Sequence, residues 1–377
     1  MARFIRNEII SLAGVTTRHD LAESVGPDLR LAELLDTDAA SLAQLALGYG
    51  TAAGNPELRA LIAAEHGVAA DDVIITVGGI HALFLAAFIL CGRGEEAIVA
   101  TPVFPPARDA LTSAGATLQT LRLDFDHGYR LDVDELTALL SPETRLVSLA
   151  SPQNPSGVAL PPEVMSSVHA ALAVRCPDAF LLIDETYRNA AYDNRTVAPS
   201  AAHLGQRVIV TGSLSKCHGA PGLRVGWVIV RDAALREQFL LGKFNTVIAN
   251  STIDEALALR VLHQAERIVG TRRRLLGAGL ARTAAWVTRN AALVEWVQPD
   301  AGALCCVRLR VEAFDDDAIE RFYATLARLD ARVGDGSWFG EDRRVFRLGF
   351  GFLPPPELDA ALDILTTALQ QTLRQAA

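Results

Sequence analysis

Short apolar runs alternate with longer amphipathic stretches from about Asp72 to Val230. The runs are Val73–Val77, Ala97–Thr101, Leu118–Leu123, Leu146–Ala150, Phe180–Asp184, Arg207–Thr211 and Val225–Val230. Gly, Pro, Asn, Asp and Ser bound them. Nearly continuous apolar runs of this length, spaced by helix-length segments, predict strands buried on both faces of a mainly parallel sheet. The expected fold class is therefore α/β. Ahead of this block, Asn55-Pro56-Glu57-Leu58 opens a helix. Asn55 can cap it, Pro56 fits its first turn, and Glu57 favours the positive end of its dipole. Leu58, Leu61 and Ile62 form one apolar face, and Gly67 can end the helix. After the block, Ala233 to about Val287 reads as long helices. Strands Leu304–Arg310 and Arg344–Leu348 then mix with helices Asp317–Leu329 and Pro356–Arg374, which predicts a second, smaller α+β domain.

In an open α/β sheet, ligands bind beyond the carboxyl ends of the strands. The polar residues of this chain gather at those ends. Gly78-Gly79 follows the first run and leads into a helix near Ile80. Phe104 follows the second, Asn154 the fourth, and Asp184 ends the fifth with Tyr187 three residues on. Ser213, Ser215 and Lys216 follow the sixth. Arg224 instead starts the seventh, so that strand must run antiparallel if Arg224 is to face the same edge. Taken singly, Gly78-Gly79 is a turn, Asp184-Glu185 a helix cap and Asn154-Pro155 a turn starter. Independent turns and caps would not be expected to line one edge of one sheet.

Lys216, flanked by two hydroxyls and followed by Arg224, suits one chemistry. Its amine can form a Schiff base with an aldehyde cofactor. The hydroxyls, the guanidinium and the glycine turn can hold that cofactor's phosphate, with the second glycine allowing close backbone approach. Pyridoxal 5′-phosphate carries both groups. Asp184 would keep its pyridine nitrogen protonated, Asn154 and Tyr187 would bond the phenolic oxygen, and Phe104 would stack on the ring. The adjacent Cys217 and His218 are not expected to form a catalytic pair.

The bulk numbers narrow the partners. A chain of 377 residues suits two domains, and a net charge of −9 argues against nucleic acid or an anionic membrane. Arg272-Arg273-Arg274 reads as a solvated helix face. The five cysteines show no metal-ligand spacing, so no metal is expected, and their scatter suits reduced thiols and a cytoplasmic location. The N-terminus lacks the apolar core of a signal peptide, and the most apolar segment, His81 to Cys91, is too short to span a bilayer.

With these residues placed, the chain resembles the class I/II pyridoxal-phosphate aminotransferases of fold type I. Ser213 to Gly226 looks like that family's lysine signature, Asp184-Glu185-Thr186-Tyr187 its Asp-Glu-x-Tyr element, and Asn154-Pro155-Ser156-Gly157 its Asn-Pro-Thr/Ser-Gly element. The resemblance covers roughly Leu21 to Arg374. It implies a large cofactor domain over residues 46–255 with a seven-stranded sheet. It also implies a small α+β domain over 256–377, and an arm, 1–45, that adds to the small domain. By the same resemblance, Arg347 binds the substrate α-carboxylate, Gly26 and Asn154 contact substrate, and Tyr49 reaches the cofactor phosphate of a partner subunit in a homodimer. The cofactor contacts implied are Gly79, Ile80, Phe104, Asn154, Asp184, Tyr187, Ser213, Ser215, Lys216 and Arg224, with Lys216, Asp184 and Tyr187 catalytic. Three departures stand out. Ser24-Val25-Gly26-Pro27-Asp28-Leu29 stands where the family has Gly-Glu-Pro-Asp-Phe after a serine, Ile80 replaces a small hydroxyl residue, leaving only backbone contact to phosphate there, and Asp335 precedes Gly336 where Pro-Gly is usual.

The expected activity is amino transfer between an L-amino acid and a 2-oxo acid by ping-pong kinetics. The alternatives on the same scaffold are a C–S β-lyase and an amino-acid oxidase or hydroxylase. A DNA-binding regulator with an aminotransferase-like sensor is disfavoured by the acidic charge and by the lack of room for an N-terminal helix-turn-helix. No second arginine dedicated to a dicarboxylate is evident, which disfavours a strict aspartate enzyme. Phe244, Asn245 and Asn250 are expected to contribute to specificity.

Overall fold

The computed structural model describes residues 4–12, 14–15, 17–35, 42–193 and 195–374. Along the chain come strand β1 (His19–Leu21), helix α1 (Pro56–His66), β2 (Val73–Val77), α2 (Gly78–Leu90), β3 (Glu96–Thr101) and α3 (Pro105–Ala114). They are followed by β4 (Thr117–Arg122), α4 (Val133–Leu139), β5 (Thr144–Ala150), α5 (Pro162–Arg175), β6 (Phe180–Asp184), β7 (Val208–Ser213) and β8 (Val225–Val230). Helices α6 (Ala233–Val247), α7 (Thr252–His263) and α8 (Ala265–Arg289) come next. The chain ends with β9 (Val294–Val297), β10 (Leu304–Leu309), α9 (Asp316–Arg328), β11 (Ala331–Asp335), β12 (Val345–Gly349) and α10 (Pro355–Arg374).

The larger sheet has seven strands in the order β2-β8-β7-β6-β5-β3-β4. Strand β8 runs antiparallel to both its neighbours, β2 and β7, and the remaining pairs are parallel. This is the direction that places Arg224 at the same edge as Lys216. Side chains alternate between two cores, as the pleat requires. Val73, Ile75, Leu181, Ile183, Val208 and Val210 enter a cluster with Leu58 of α1, Leu136 of α4 and Val168 of α5. Ile74, Leu182, Ile209 and Val228 enter another, with Leu83 of α2 and Phe239 of α6. Both faces are covered, which explains the unbroken apolar runs.

The smaller sheet has the order β1-β11-β12-β10-β9, with β1 parallel to β11 and the other pairs antiparallel. Its own core joins Val307, Phe346 and Leu348 to Trp286, Phe322 and Leu365. Strand β1 draws the N-terminal segment to this sheet and so leads residues 22–29 past the strand ends of the larger one.

Some local expectations need correction. The sequence reading ends the sixth apolar run at Thr211, because glycine and serine break strands. Instead Gly212 and Ser213 continue β7 by pairing with Trp227 and Gly226 of β8. Helix α2 starts at Gly78 rather than near Ile80. The arginine run is not a solvated face. Arg272 is buried and donates to the Pro27 carbonyl, and Arg273 donates to the Asn189 carbonyl at 3.1 Å. The cap of α1 is as expected: Asn55 accepts from the Glu57 and Leu58 amides at 2.9 and 3.1 Å, and Gly67 ends the helix at φ 68°.

Gly226 shows how tightly β8 lies against the turn that opens α2. A Cβ there would sit 2.4 Å from the Gly78 carbonyl carbon and the Gly79 nitrogen. All of these are backbone atoms that cannot rotate away. Gly226→Ala is expected to cost about 1–3 kcal/mol in urea unfolding. Gly222→Ala, where a Cβ meets nothing within 4 Å, is expected to stay within about 0.5 kcal/mol of the parent.

Candidate active site

The carboxyl ends of the parallel strands open onto a cavity of about 320 Å³. Gly79, Ile80, Phe104, Asn154, Asp184, Tyr187, Ser213, Ser215, Lys216 and Arg224 all line it. The register explains the convergence, since Asp184 of β6 lies beside Ala150 of β5 and Thr211 of β7.

At one end, the Gly78-Gly79 turn faces Arg224. Arg224 is left-handed (φ 50°) and donates to the Pro221 carbonyl at 2.8 Å. A Cβ on Gly78 would meet the Arg224 Nη2 at 2.4 Å, and Gly78 itself has φ 71°. The first glycine, not the second, is thus the constrained one: a Cβ on Gly79 would make only ordinary contacts at 3.5 Å or more. The turn is braced from below. The Thr76 hydroxyl donates to the Gly78 carbonyl at 2.9 Å, and Asn250 donates to the Thr76 carbonyl at 3.0 Å. On the other side, the Ser213 hydroxyl accepts from the Ser215 amide at 3.3 Å. Backbone amides at a helix start, two hydroxyls and a guanidinium form a cradle for a phosphate dianion.

Midway, the Asp184 carboxylate accepts from the Thr186 amide at 3.0 Å. Burial pushes its pKa up, against the hydrogen bonds of Thr186 and Thr211 that pull it down. A cationic ring nitrogen is the partner that would relieve that burial. Phe104 caps α3 at the cavity wall.

At the floor, the Lys216 amine donates to the Ser24 hydroxyl at 3.0 Å and lies 5.9 Å from the centre of the Tyr187 ring. Burial pushes its pKa down to about 8, helped by the charge of Arg347 and Arg224 and opposed by Glu23 and Asp184. Tyr187 donates to the Ser24 carbonyl at 3.1 Å, and burial raises its pKa. Arg347 of β12 is buried. It donates through Nη1 to Asn154 at 2.9 Å and through Nη2 to the Ala22 carbonyl, stacked 4.6 Å from the Phe339 ring centre. Its Nε has no partner among the described residues. A buried guanidinium with a free N–H beside a lysine amine can receive a carboxylate.

Five of the residues expected at the site lie elsewhere. Tyr49 is 86% exposed and outside this cavity in the single chain. Gly26 lines a smaller pocket behind Lys216, with Arg272 and Cys217. Phe244 and Asn245 are exposed, and Asn250 braces the phosphate turn instead. Cys217 donates to the Thr186 carbonyl at 3.2 Å, and burial pushes its thiol up to about 12. Beside it, the buried His218 is pushed down to about 4. Neither profile suits a nucleophile pair. The sequence reading did not assign a role to Ser24, whose only signal was its place two residues before Gly26.

Because the Lys216 amine is neutral above its pKa, its reactivity is expected to rise through about pH 8, roughly two pH units below an ordinary lysine. Acetic anhydride labelling of the cofactor-free chain across pH, read by peptide mass spectrometry, measures this.

The residues fit pyridoxal 5′-phosphate on these grounds: a phosphate cradle at one end, a lysine at the floor, and a buried carboxylate between them. Comparison with known proteins agrees. The family model for aminotransferase class I and II matches residues 18–365. Capreomycidine synthase from Streptomyces vinaceus is 30% identical over 329 residues, covering 87% of this chain and 82% of that protein. The solved structure of a PLP-dependent aminotransferase from Streptococcus suis 89-1591 superposes with TM-score 0.88 at 22% identity, covering 98% and 99% of the two chains. That of the PLP-dependent cyclase OrfR gives 0.85 at 26%, covering 100% and 98%. The chain belongs to the class I and II aminotransferases, enzymes that depend on pyridoxal 5′-phosphate.

Proposed function

We propose that the protein is an aminotransferase that moves an amino group between an L-amino acid and a 2-oxo acid. The observation that carries this reading is a cavity lined by Lys216 and Asn154: Asn154 holds the buried Arg347 at 2.9 Å with its Nε free, and the lysine is depressed to about 8. When bound, the cofactor supplies a carbonyl for the incoming amine and an electron sink for the Cα bond. Arg347, aimed by Asn154, holds the substrate carboxylate as a bidentate pair. Lys216 carries the Cα proton, as base and then as acid, and a pKa near the working pH suits both tasks. Asp184 would keep the ring nitrogen protonated, and the Gly78-Gly79 turn, Ser213, Ser215 and Arg224 would hold the phosphate. Two half-reactions on one site give ping-pong kinetics. Five buried thiols suit a reducing compartment, which supports a cytoplasmic location.

A second reading is a cyclising enzyme on the same scaffold. It is favoured because the matches that extend over most of the chain include a capreomycidine synthase and a PLP-dependent cyclase. Lys216 and Asp184 would do the same work at Cα, and bond changes at Cβ would follow. Screening the twenty amino acids with pyruvate and 2-oxoglutarate separates the two. Stoichiometric oxo acid and new amino acid mark transfer, and a ring-closed amino acid without oxo acid marks cyclisation.

Borohydride reduction of the loaded enzyme is expected to fix the cofactor on Lys216. Lys216→Ala should lose at least about 10³-fold in turnover with the fold intact. Capture on another lysine would show the assignment to be wrong.

The second copy enters through Tyr49. Tyr49 is 86% exposed, with Leu47 at 77%, so both side chains are free to meet a second copy. In the dimer, Tyr49 reaches the partner's phosphate cradle. Mixing inactive Tyr49→Ala and Lys216→Ala subunits is expected to restore activity, because one site in each hybrid then has both residues. Hybrids as inactive as their parents would mean that each chain owns its whole site.

A further inference from the structure

Residues 22–24 touch three groups of the site at once. The Ala22 carbonyl accepts from Arg347, the Ser24 carbonyl accepts from Tyr187 at 3.1 Å, and the Ser24 hydroxyl accepts from the Lys216 amine at 3.0 Å. The segment is pinned on both sides. Upstream, the Ala22 amide donates to the Asp20 carboxylate at 3.0 Å, and Asp20 pairs with Arg332. Downstream, the Leu29 amide donates to the Gly219 carbonyl at 2.7 Å, and Arg272 donates to the Pro27 carbonyl. Between these anchors the backbone lies against β12 so closely that a Cβ on Gly349 would overlap the Glu23 carbonyl oxygen. Ser24 itself is buried. Its backbone, and with it the Cβ that carries the hydroxyl, is therefore held in place independently of Lys216.

We propose that Ser24 is a positioning residue for Lys216, holding the free amine at the floor of the cavity whenever the lysine is not joined to the cofactor. The proposal rests on Lys216 being the cofactor lysine. A lysine side chain has four rotatable bonds and a large rotamer entropy. Proton transfer at Cα needs its nitrogen in one place. A buried acceptor fixed by the backbone supplies that place. It also favours the charged amine, against the burial and the two guanidinium charges, Arg347 and Arg224, that disfavour it; Glu23 and Asp184 act in the same sense as Ser24.

The test uses Ser24→Ala, which removes one oxygen from a buried site, and Val25→Ala, which disturbs the same segment without touching Lys216. In the acetic anhydride assay, Ser24→Ala is expected to move the Lys216 midpoint downward from about 8 by about half a pH unit or more, because the charged form loses an acceptor. Val25→Ala is expected to leave it in place. On the best donor from the screen, kcat of Ser24→Ala should fall about tenfold with KM within about threefold. An unmoved midpoint, an equal shift in Val25→Ala, or wild-type kcat in Ser24→Ala overturns the proposal. Borohydride mapping separates the two ideas. If the wild-type enzyme traps cofactor on another lysine, the reading of Lys216 fails, whereas a trap on Lys216 with an unmoved midpoint sinks only Ser24.

Discussion

The desolvation of an amine beside a guanidinium is the constraint on which the site depends. In water Lys216 and Arg347 would both be charged and would keep apart. Here both are buried near each other, and burial with that mutual repulsion brings the lysine to about 8. Burying either charge without partners would be costly. Arg347 is met by Asn154, Ala22 and the Phe339 ring, and Lys216 by Ser24. These partners come from three stretches of chain: the segment 22–24, the turn after β5 and the segment before β12. The rest of the architecture serves to bring these stretches together.

The larger sheet supplies one half of that arrangement. Parallel strands present all their carboxyl ends at one edge, so residues far apart in sequence meet there without long loops. Strand β8 is the exception, and it matters because it is the exception. Running backwards, it delivers its first residue to the edge where the others deliver their last. Arg224 thereby reaches the Gly78-Gly79 turn. The same reversal brings Gly226 against the turn's backbone, where a side chain would force the two apart. Strand direction and glycine placement are thus one requirement seen from two sides.

Much of this was legible in the chain because buried parallel strands announce themselves as apolar runs. Val73–Val77, Phe180–Asp184 and Val225–Val230 have the boundaries read from sequence. The strand-end polar residues followed from the same reading, as did the reversed direction of β8. What escaped were features set by tertiary contact. Ser213 looked like a strand breaker, yet pairing with Gly226 keeps it in β7. Arg272 belonged to a charged run that should face solvent, but the carbonyl of Pro27 and the pocket behind Lys216 draw it inward. Ser24 left almost no local signal. Its partners, Lys216 and Tyr187, lie more than 160 positions away and depend on β1 joining the smaller sheet.

That dependence links the two sheets chemically. Arg347 is carried by β12, and the residues that hold it, Asn154 and Ala22, come from the end of β5 and from the segment after β1. Lys216 follows β7 of the larger sheet but leans on Ser24 of the same segment. A carboxylate arriving at the free Nε of Arg347 therefore lands on a group already coupled, through two residues of backbone, to the partner of the lysine amine. On the proposed reading these groups address the carboxylate and Cα and leave the side chain of the amino acid unspecified. Transfer and cyclisation can share every one of them, because on that reading both begin at Cα and part only at Cβ.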